Sequence, residues 1–329
     1  MSFENKGTDP LTGKPSAAGG AKLAGTLTLP EGFKKGMPVV LMVTGSGQQN
    51  RDEELMGHKP FLVIADWLAR HGIASLRYDD RGVEQSTGDA DKATTYDNML
   101  DALAGIEFLK NTKEFGKIGV LGHSEGGTIG YMLAAKGKAD FVVSLAGPAL
   151  RGDSILLMQN RDILKKVGLD DENINKYVEA LRRIFQYKTS GNKLRFASKP
   201  EALLPMLTAD INLPEQLRQN LLETMKQLDG AWLDYFISYE PAEDLKQTKC
   251  PVMLLGGDRD TQVRAKENIS AAKALLPKNS KSLFKEYPNA NHLFQPSTNG
   301  MPLEYGRIET TIQEEVLKDI ATWIQSVAK

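Results

Sequence analysis

The stretch Gly122-His123-Ser124-Glu125-Gly126 constrains this chain more than any other. It follows the apolar run Lys117-Ile118-Gly119-Val120-Leu121 and precedes Gly127-Thr128-Ile129-Gly130-Tyr131-Met132-Leu133-Ala134-Ala135, a series of small residues and helix formers. A strand, a sharp turn and a helix are expected in that order. A turn this tight admits only small side chains two residues before and two residues after its apex, here Gly122 and Gly126. The apex serine is then strained in its backbone, with its hydroxyl presented above the strand. The five-residue pattern alone is a weak signal, since glycine and serine are common in loops. The strand before it and the helix after it make it strong.

Apolar and amphipathic segments alternate along the rest of the chain. Residues 8–20, rich in Gly, Pro, Ala and Lys, read as an exposed loop, and residues 23–29 as an early strand stopped by Pro30. Further strands are expected at 39–43, 73–78, 118–121, 141–145, 251–255 and 282–287, and helices at 61–71, 95–111, 265–276 and 310–327. This order implies an α/β fold, a mostly parallel central sheet with helices on both faces. The rhythm breaks after Pro148. Residues 151–239 are helical in pattern, without a convincing strand, and Pro200, Pro205 and Pro214 are expected to cut them into short helices. The expected organisation is a core domain made of residues 1–150 and 240–329, with 151–239 as an inserted helical cap. A second domain simply following the first is the alternative. Insertion is preferred because the catalytic candidates lie on both sides of the helical stretch.

Composition narrows the function classes. Forty-one basic against forty-two acidic residues leave a net charge of −1, which gives no support for a nucleic-acid or anionic-membrane surface. No apolar run approaches the roughly 20 residues needed to span a bilayer. Cys250 is alone, so no intrachain disulfide forms, and no His/Cys spacing suggests a metal. The charged groups Arg51-Asp52-Glu53 and Asp79-Asp80-Arg81 are expected to be internal ion-pair struts. The start of the chain has no signal-peptide pattern, which leaves the compartment open between cytoplasmic and, after removal of a leader, periplasmic or secreted. Oligomeric state is also open.

A serine becomes a useful nucleophile only when a base takes its proton, usually a histidine oriented by a carboxylate. The chain has four histidines. His123 adjoins Ser124 and cannot easily reach over its hydroxyl, so a structural role is expected. His71 precedes Gly72 at a helix end, where it meets the helix dipole favourably. His58 lies in a charged loop and follows no strand. His292 lies in the loop after the strand at 282–287, where the last member of a Ser, acid, His order belongs. The acid belongs after the strand at 251–255, where Asp258 and Asp260 compete, and Asp258 could instead cap the following turn. Negative charge on a tetrahedral oxygen needs N–H donors. The backbone of Glu125 and that of Ser46, in the loop Thr44-Gly45-Ser46-Gly47-Gln48, are the candidates.

With these residues in view, the chain from about residue 23 onward resembles the bacterial serine α/β-hydrolases of the EstD-like carboxylesterase type. It is loosely similar to their dienelactone-hydrolase and prolyl-oligopeptidase relatives. Leu23-Ala24-Gly25-Thr26-Leu27 resembles the opening strand, residues 45–53 the oxyanion loop, Tyr78-Asp79-Asp80-Arg81-Gly82 the next turn, and Asn291-His292-Leu293-Phe294 the histidine loop. Gly257-Asp258-Arg259-Asp260-Thr261-Gln262-Val263 is similar to the family's acid loop, and this resemblance places the acid at Asp260. The chain departs from the pattern at Glu84, where many relatives carry glycine, and at Thr44, where a histidine is common.

The resemblance implies an α/β-hydrolase fold and two-step ester hydrolysis by Ser124, His292 and Asp260, with no cofactor and a small-molecule ester as substrate. Gln48, Met158, Trp232, Tyr235 and Phe236, with Tyr239 beside them, are candidate pocket residues; ordinary helix packing accounts for the apolar ones equally well. Hydrolysis of amides or peptides, and a catalytically silent hydrolase fold used for binding, are the competing readings.

Overall fold

Val39-Val40-Leu41-Met42-Val43 offers no polar face to water, the pattern of a strand covered on both sides. The computed structural model, which describes residues 1–191 and 199–329, places it near the middle of a sheet of eight strands. In chain order these are β1 (Ser2–Asn5), β2 (Ala21–Thr28), β3 (Val39–Val43), β4 (Ala74–Tyr78), β5 (Ile118–His123), β6 (Val142–Leu145), β7 (Val252–Gly257) and β8 (Leu283–Tyr287). The spatial order is β1-β2-β4-β3-β5-β6-β7-β8. β1 and β2 are antiparallel to their neighbours, and every other pairing is parallel.

The helices are α1 (Pro60–Arg70), α2 (Thr95–Thr112), α3 (Glu125–Ala135), α4 (Gly152–Lys166), α5 (Asp171–Thr189), α6 (Pro200–Leu207), α7 (Glu215–Gln227), α8 (Ala231–Ser238), α9 (Pro241–Gln247), α10 (Ala265–Leu275) and α11 (Glu314–Val327). The chain divides into two compact units: Met1–Ala149 with Pro241–Lys329, and Leu150–Glu240.

In the first unit the alternation of strand side chains sorts the core into two layers. Val40, Met42, Leu121, Val143, Met253 and Leu255 face Phe61, Ile64 and Leu68 of α1 and Val316, Ile320 and Ile324 of α11. The intervening residues Val120 and Val142 meet α3 at Gly130. All of these are almost completely removed from water, and each such side chain contributes roughly 1.5–3 kcal/mol of burial. Thr94 and Asp97 form a capping box at the start of α2, fixing where that helix begins.

The second unit, among the described residues, is built of α4 to α8. Tyr177, Leu181, Ile184 and Phe185 of α5 pack with Leu203 and Leu204 of α6, Leu221 and Met225 of α7 and Ile237 of α8. Their spacing is that of one apolar helical stripe.

Several local expectations change. β1 has no apolar run to announce it and exists through pairing with β2. The loop at 8–20 is only partly exposed: Asp9 is buried and accepts the Tyr96 hydroxyl at 2.6 Å. Pro205 lies inside α6 and does not divide two helices. It is on the exposed face, where water can take the carbonyl that loses its helical donor. Residues 310–313 precede α11, and the Gln313 N–H is held by the Phe294 carbonyl. Glu84 stands at φ 49°, the left-handed backbone that a glycine would adopt without strain.

Candidate active site

β5 runs straight into α3 through Ser124, whose φ of 51° and ψ of −121° lie outside the usual L-residue regions. Such a conformation costs about 1–3 kcal/mol and survives only where neighbours enforce it. The Ser124 N–H donates to the Leu145 carbonyl at 2.8 Å, and its carbonyl accepts from Gly127 N–H at 2.9 Å. Side chains are excluded on both flanks. A Cβ on Gly122 would lie 2.0 Å from the Gly126 oxygen, and one on Gly126 would lie 2.1 Å from the Val43 oxygen. Backbone atoms cannot yield there. Gly122→Ala is therefore expected to cost about 3 kcal/mol, a fall of roughly 6–12 °C in a melting scan. A variant melting with the native protein would show that the turn tolerates what its geometry forbids. Although Ser124 occupies the N-cap position of α3, its hydroxyl caps no helix N–H.

The acid loop leaves β7 at Gly257. The Asp260 side chain is fully buried, and its two oxygens have separate tasks. Oδ2 lies 2.7 Å from His292 Nδ1. Oδ1 accepts the N–H groups of Gln262 and Val263 at 2.8 and 2.9 Å. Asp258 is exposed, beside Arg259. The turn-capping considered for Asp258 is thus performed by Asp260 itself, with the oxygen that His292 does not use. The loop after β8 that carries His292 is folded by Asn291, whose Oδ1 accepts the Leu293 and Gln295 N–H groups, each at 3.0 Å. Asp258 and Arg259 bind it from the acid loop through the carbonyls of Tyr287 and Ala290.

The other histidines have structural partners. His71 ends α1, hydrogen-bonds the Trp67 carbonyl and stacks on the Trp67 ring. His58 lies between the Thr311 hydroxyl and the Tyr305 carbonyl, 2.9 and 3.0 Å away. His123 is the most connected. Its Nδ1 lies 2.9 Å from Glu53 Oε1 and its Nε2 3.0 Å from the His292 carbonyl. Glu53 Oε1 also accepts the Gly45 N–H at 2.8 Å. In the sequence Glu53 stands as one charge of an expected strut and as the last residue of the stretch resembling an oxyanion loop; no local pattern reveals that it faces a residue seventy positions away.

Burial alone pushes the His123 ring down, but the Glu53 charge and hydrogen bond, the His292 carbonyl and the Asp260 charge hold it above the ordinary value near 6.5. A raised value in the folded state means that the charged ring's contribution is complete below the unfolded value and is lost as pH rises through the folded one. Melting scans of the native protein and Glu53→Gln, taken upward from pH 6.5, are expected to converge. A gap that widens with pH would refute a charged His123.

The neighbouring charges also pair internally. Arg51 grips Asp79 with two nitrogens, at 2.6 and 3.0 Å. Arg77 pairs with Asp52, and Arg81 holds Asp101 through two bonds of 2.8 Å. Thr44, where relatives commonly carry histidine, donates its hydroxyl to Asp80 at 2.8 Å. These bonds fix the loop in which Ser46 and Gln48 are exposed. Gly45 of that loop abuts Ser124, since a Cβ there would lie 3.2 Å from Ser124 Cβ. Glu125 is the first residue of α3, so its N–H belongs to the positive end of that helix. Among the described residues no cluster of His, Cys, Asp and Glu suits a metal ion, and no helix is long and apolar enough to cross a membrane.

The remaining candidates lie in the second unit. Met158 is half-buried on α4. On α8, Trp232 and Phe236 stack with ring centres 5.1 Å apart, and Tyr235 stacks on Tyr239 at 5.7 Å. Only Ile237 of α8 is fully enclosed.

A serine on a strand-to-helix elbow, with an Asp-His pair on the loops after two later parallel strands, defines the α/β-hydrolase class. Within it, residues 19–286 match the X-Pro dipeptidyl-peptidase (S15) family, and the chain belongs to that family. It is 27% identical over 306 residues to esterase EstD of Thermotoga maritima, an alignment covering 92% of this chain and 65% of EstD. The chain therefore spans just under two thirds of that relative's length. Similar folds occur in Est1E of Butyrivibrio proteoclasticus with bound ferulic acid (TM-score 0.55, 16% identity, 94% and 97% of the two chains). Proline iminopeptidase of Mycobacterium smegmatis is a further example (TM-score 0.54, 14% identity, 94% and 96%).

Proposed function

We propose that the protein is a serine carboxylesterase acting on small to medium esters. The observation that carries this reading is the buried 2.7 Å contact of Asp260 with His292 Nδ1, taken together with an elbow serine whose hydroxyl is not spent on its helix. Asp260 holds the imidazole with its proton on Nδ1, so Nε2 is the base. As Ser124 Oγ attacks the ester carbonyl, Nε2 takes its proton, and the backbone N–H groups of Glu125 and Ser46 stabilise the oxyanion. The imidazolium then returns the proton to the departing alkoxide, leaving an acyl-serine. Water, deprotonated by the same nitrogen, attacks the acyl group, and the acid leaves as Ser124 is reprotonated. The steps need no cofactor. We assign substrate selection to the helical unit as an inserted cap, with Gln48, Met158, Trp232, Tyr235 and Phe236 as pocket residues.

The test is the intact mass after treatment with a fluorophosphonate, alongside turnover of a chain-length series of chromogenic esters. One adduct together with ester turnover is the expected result. No adduct would favour a silent hydrolase fold. The family's peptidase name supports a second reading, cleavage of peptide bonds. An ester and an amide with the same leaving group, assayed in parallel, separate the two, and faster amide turnover would replace the first reading with the second.

A further inference from the structure

Glu53 and His123 join three segments that would have to act together in catalysis. Glu53 Oε1 accepts two hydrogens, one from Gly45 N–H of the loop after β3 and one from His123 Nδ1 at the end of β5. His123 Nε2 reaches the backbone carbonyl of His292, in the loop after β8. With Glu53 ionised, its oxygen and the His292 carbonyl both accept, so both ring nitrogens carry hydrogen and the ring is an imidazolium paired with Glu53. Both side chains are almost wholly buried, that of Glu53 4% and that of His123 9% exposed. Either charge alone would be costly there, which ties the two residues together. Glu53 also holds a left-handed backbone, φ 52°, a conformation that a glutamate keeps only when its surroundings demand it. The Gly45 N–H is committed to Glu53, so it is not an oxyanion donor, and its peptide fixes the start of the segment carrying Ser46. The rings of His123 and His292 lie 4.7 Å apart.

We propose that Glu53 and His123 are positioning residues. Their buried bridge locks the oxyanion loop to the backbone of the catalytic base, so that donor and base hold one register about Ser124. The proposal rests on the esterase reading. Neither residue touches substrate; both act through Gly45 and His292. Displacements on the scale of an ångström at such a site cost about 100-fold in rate.

The test uses the full chain with Glu53→Ala and Glu53→Gln, assayed well below their melting temperatures. Glu53→Ala is expected to lower kcat about 100-fold with KM changed less than about threefold, because the oxyanion donor acts on the transition state. Glu53→Gln retains an oxygen acceptor and is expected to recover about tenfold of that loss. Affinity for a boronic acid, whose adduct with Ser124 is tetrahedral, should fall in parallel with kcat/KM. A merely structural pair would lower the melting temperature and leave these ratios alone; a folded Glu53→Ala with native kcat overturns the proposal. Should Glu53→Ala fail to fold, Glu53→Gln decides: a kcat about tenfold below native supports the bridge, and a native kcat overturns it.

A native protein that neither turns over esters nor takes a fluorophosphonate would sink the esterase reading. The bridge is then judged separately, by nitrogen resonances of histidine labelled with ¹⁵N. Both His123 nitrogens protonated at pH 7, with one proton lost in Glu53→Gln, supports it. A singly protonated His123 in the native protein refutes it.

Discussion

Replacing Ser124 with alanine is expected to abolish the fluorophosphonate adduct and to lower ester turnover by roughly 10⁴- to 10⁶-fold. The methyl group fits where the hydroxymethylene stood, and the elbow's hydrogen bonds are backbone bonds that alanine retains. The variant should therefore fold, melting within a few degrees of the native protein. His292→Ala should fall to a similar level, and the double variant hardly further, since residues that act as one unit do not lose activity additively. Intact mass and initial rates read both results. An adduct persisting in Ser124→Ala would place the reactive group elsewhere.

Asp260→Asn carries the second large effect, a kcat loss of about 10⁴-fold. The reason lies in the division of labour between the two carboxylate oxygens. The Oδ1 side must accept the Gln262 and Val263 N–H groups, so the carboxamide is forced to set its oxygen there and its NH₂ toward His292. An NH₂ facing Nδ1 makes that nitrogen the acceptor and moves the ring proton to Nε2, the atom that must receive the serine proton. The variant is thus a trapped tautomer with little change in shape. Asp258→Asn, at an exposed carboxylate beside Arg259, should keep activity within about threefold. Equal losses in the two variants would overturn the assignment of the acid.

How far the sequence discloses this molecule depends on whether each feature is encoded locally. The elbow was legible because its turn excludes side chains at fixed offsets, and that exclusion is written as Gly122 and Gly126. The parallel core strands were legible because burial on both faces leaves an unbroken apolar run, as in β3. β1 was not, since its four residues owe their form to a partner strand. Spacing and position narrowed the acid to two aspartates, and only family resemblance favoured Asp260 over Asp258; the fold adds the hydrogen bonds that distinguish them. The Glu53–His123 contact was beyond reach, because a charged residue in a loop carries no mark of what it will face.

The order of these parts along the chain has a consequence for biosynthesis. β6 and β7 are direct neighbours in the sheet, Val142 opposite Val252, yet all of Leu150–Glu240 is made between them. A chain emerging from the ribosome therefore carries Ser124 early, Asp260 much later and His292 last, only after β8. On the proposed mechanism, Ser124 is until then an ordinary alcohol. Truncated or stalled products of translation would be inert toward esters, and hydrolytic power would appear only in chains long enough to close the sheet.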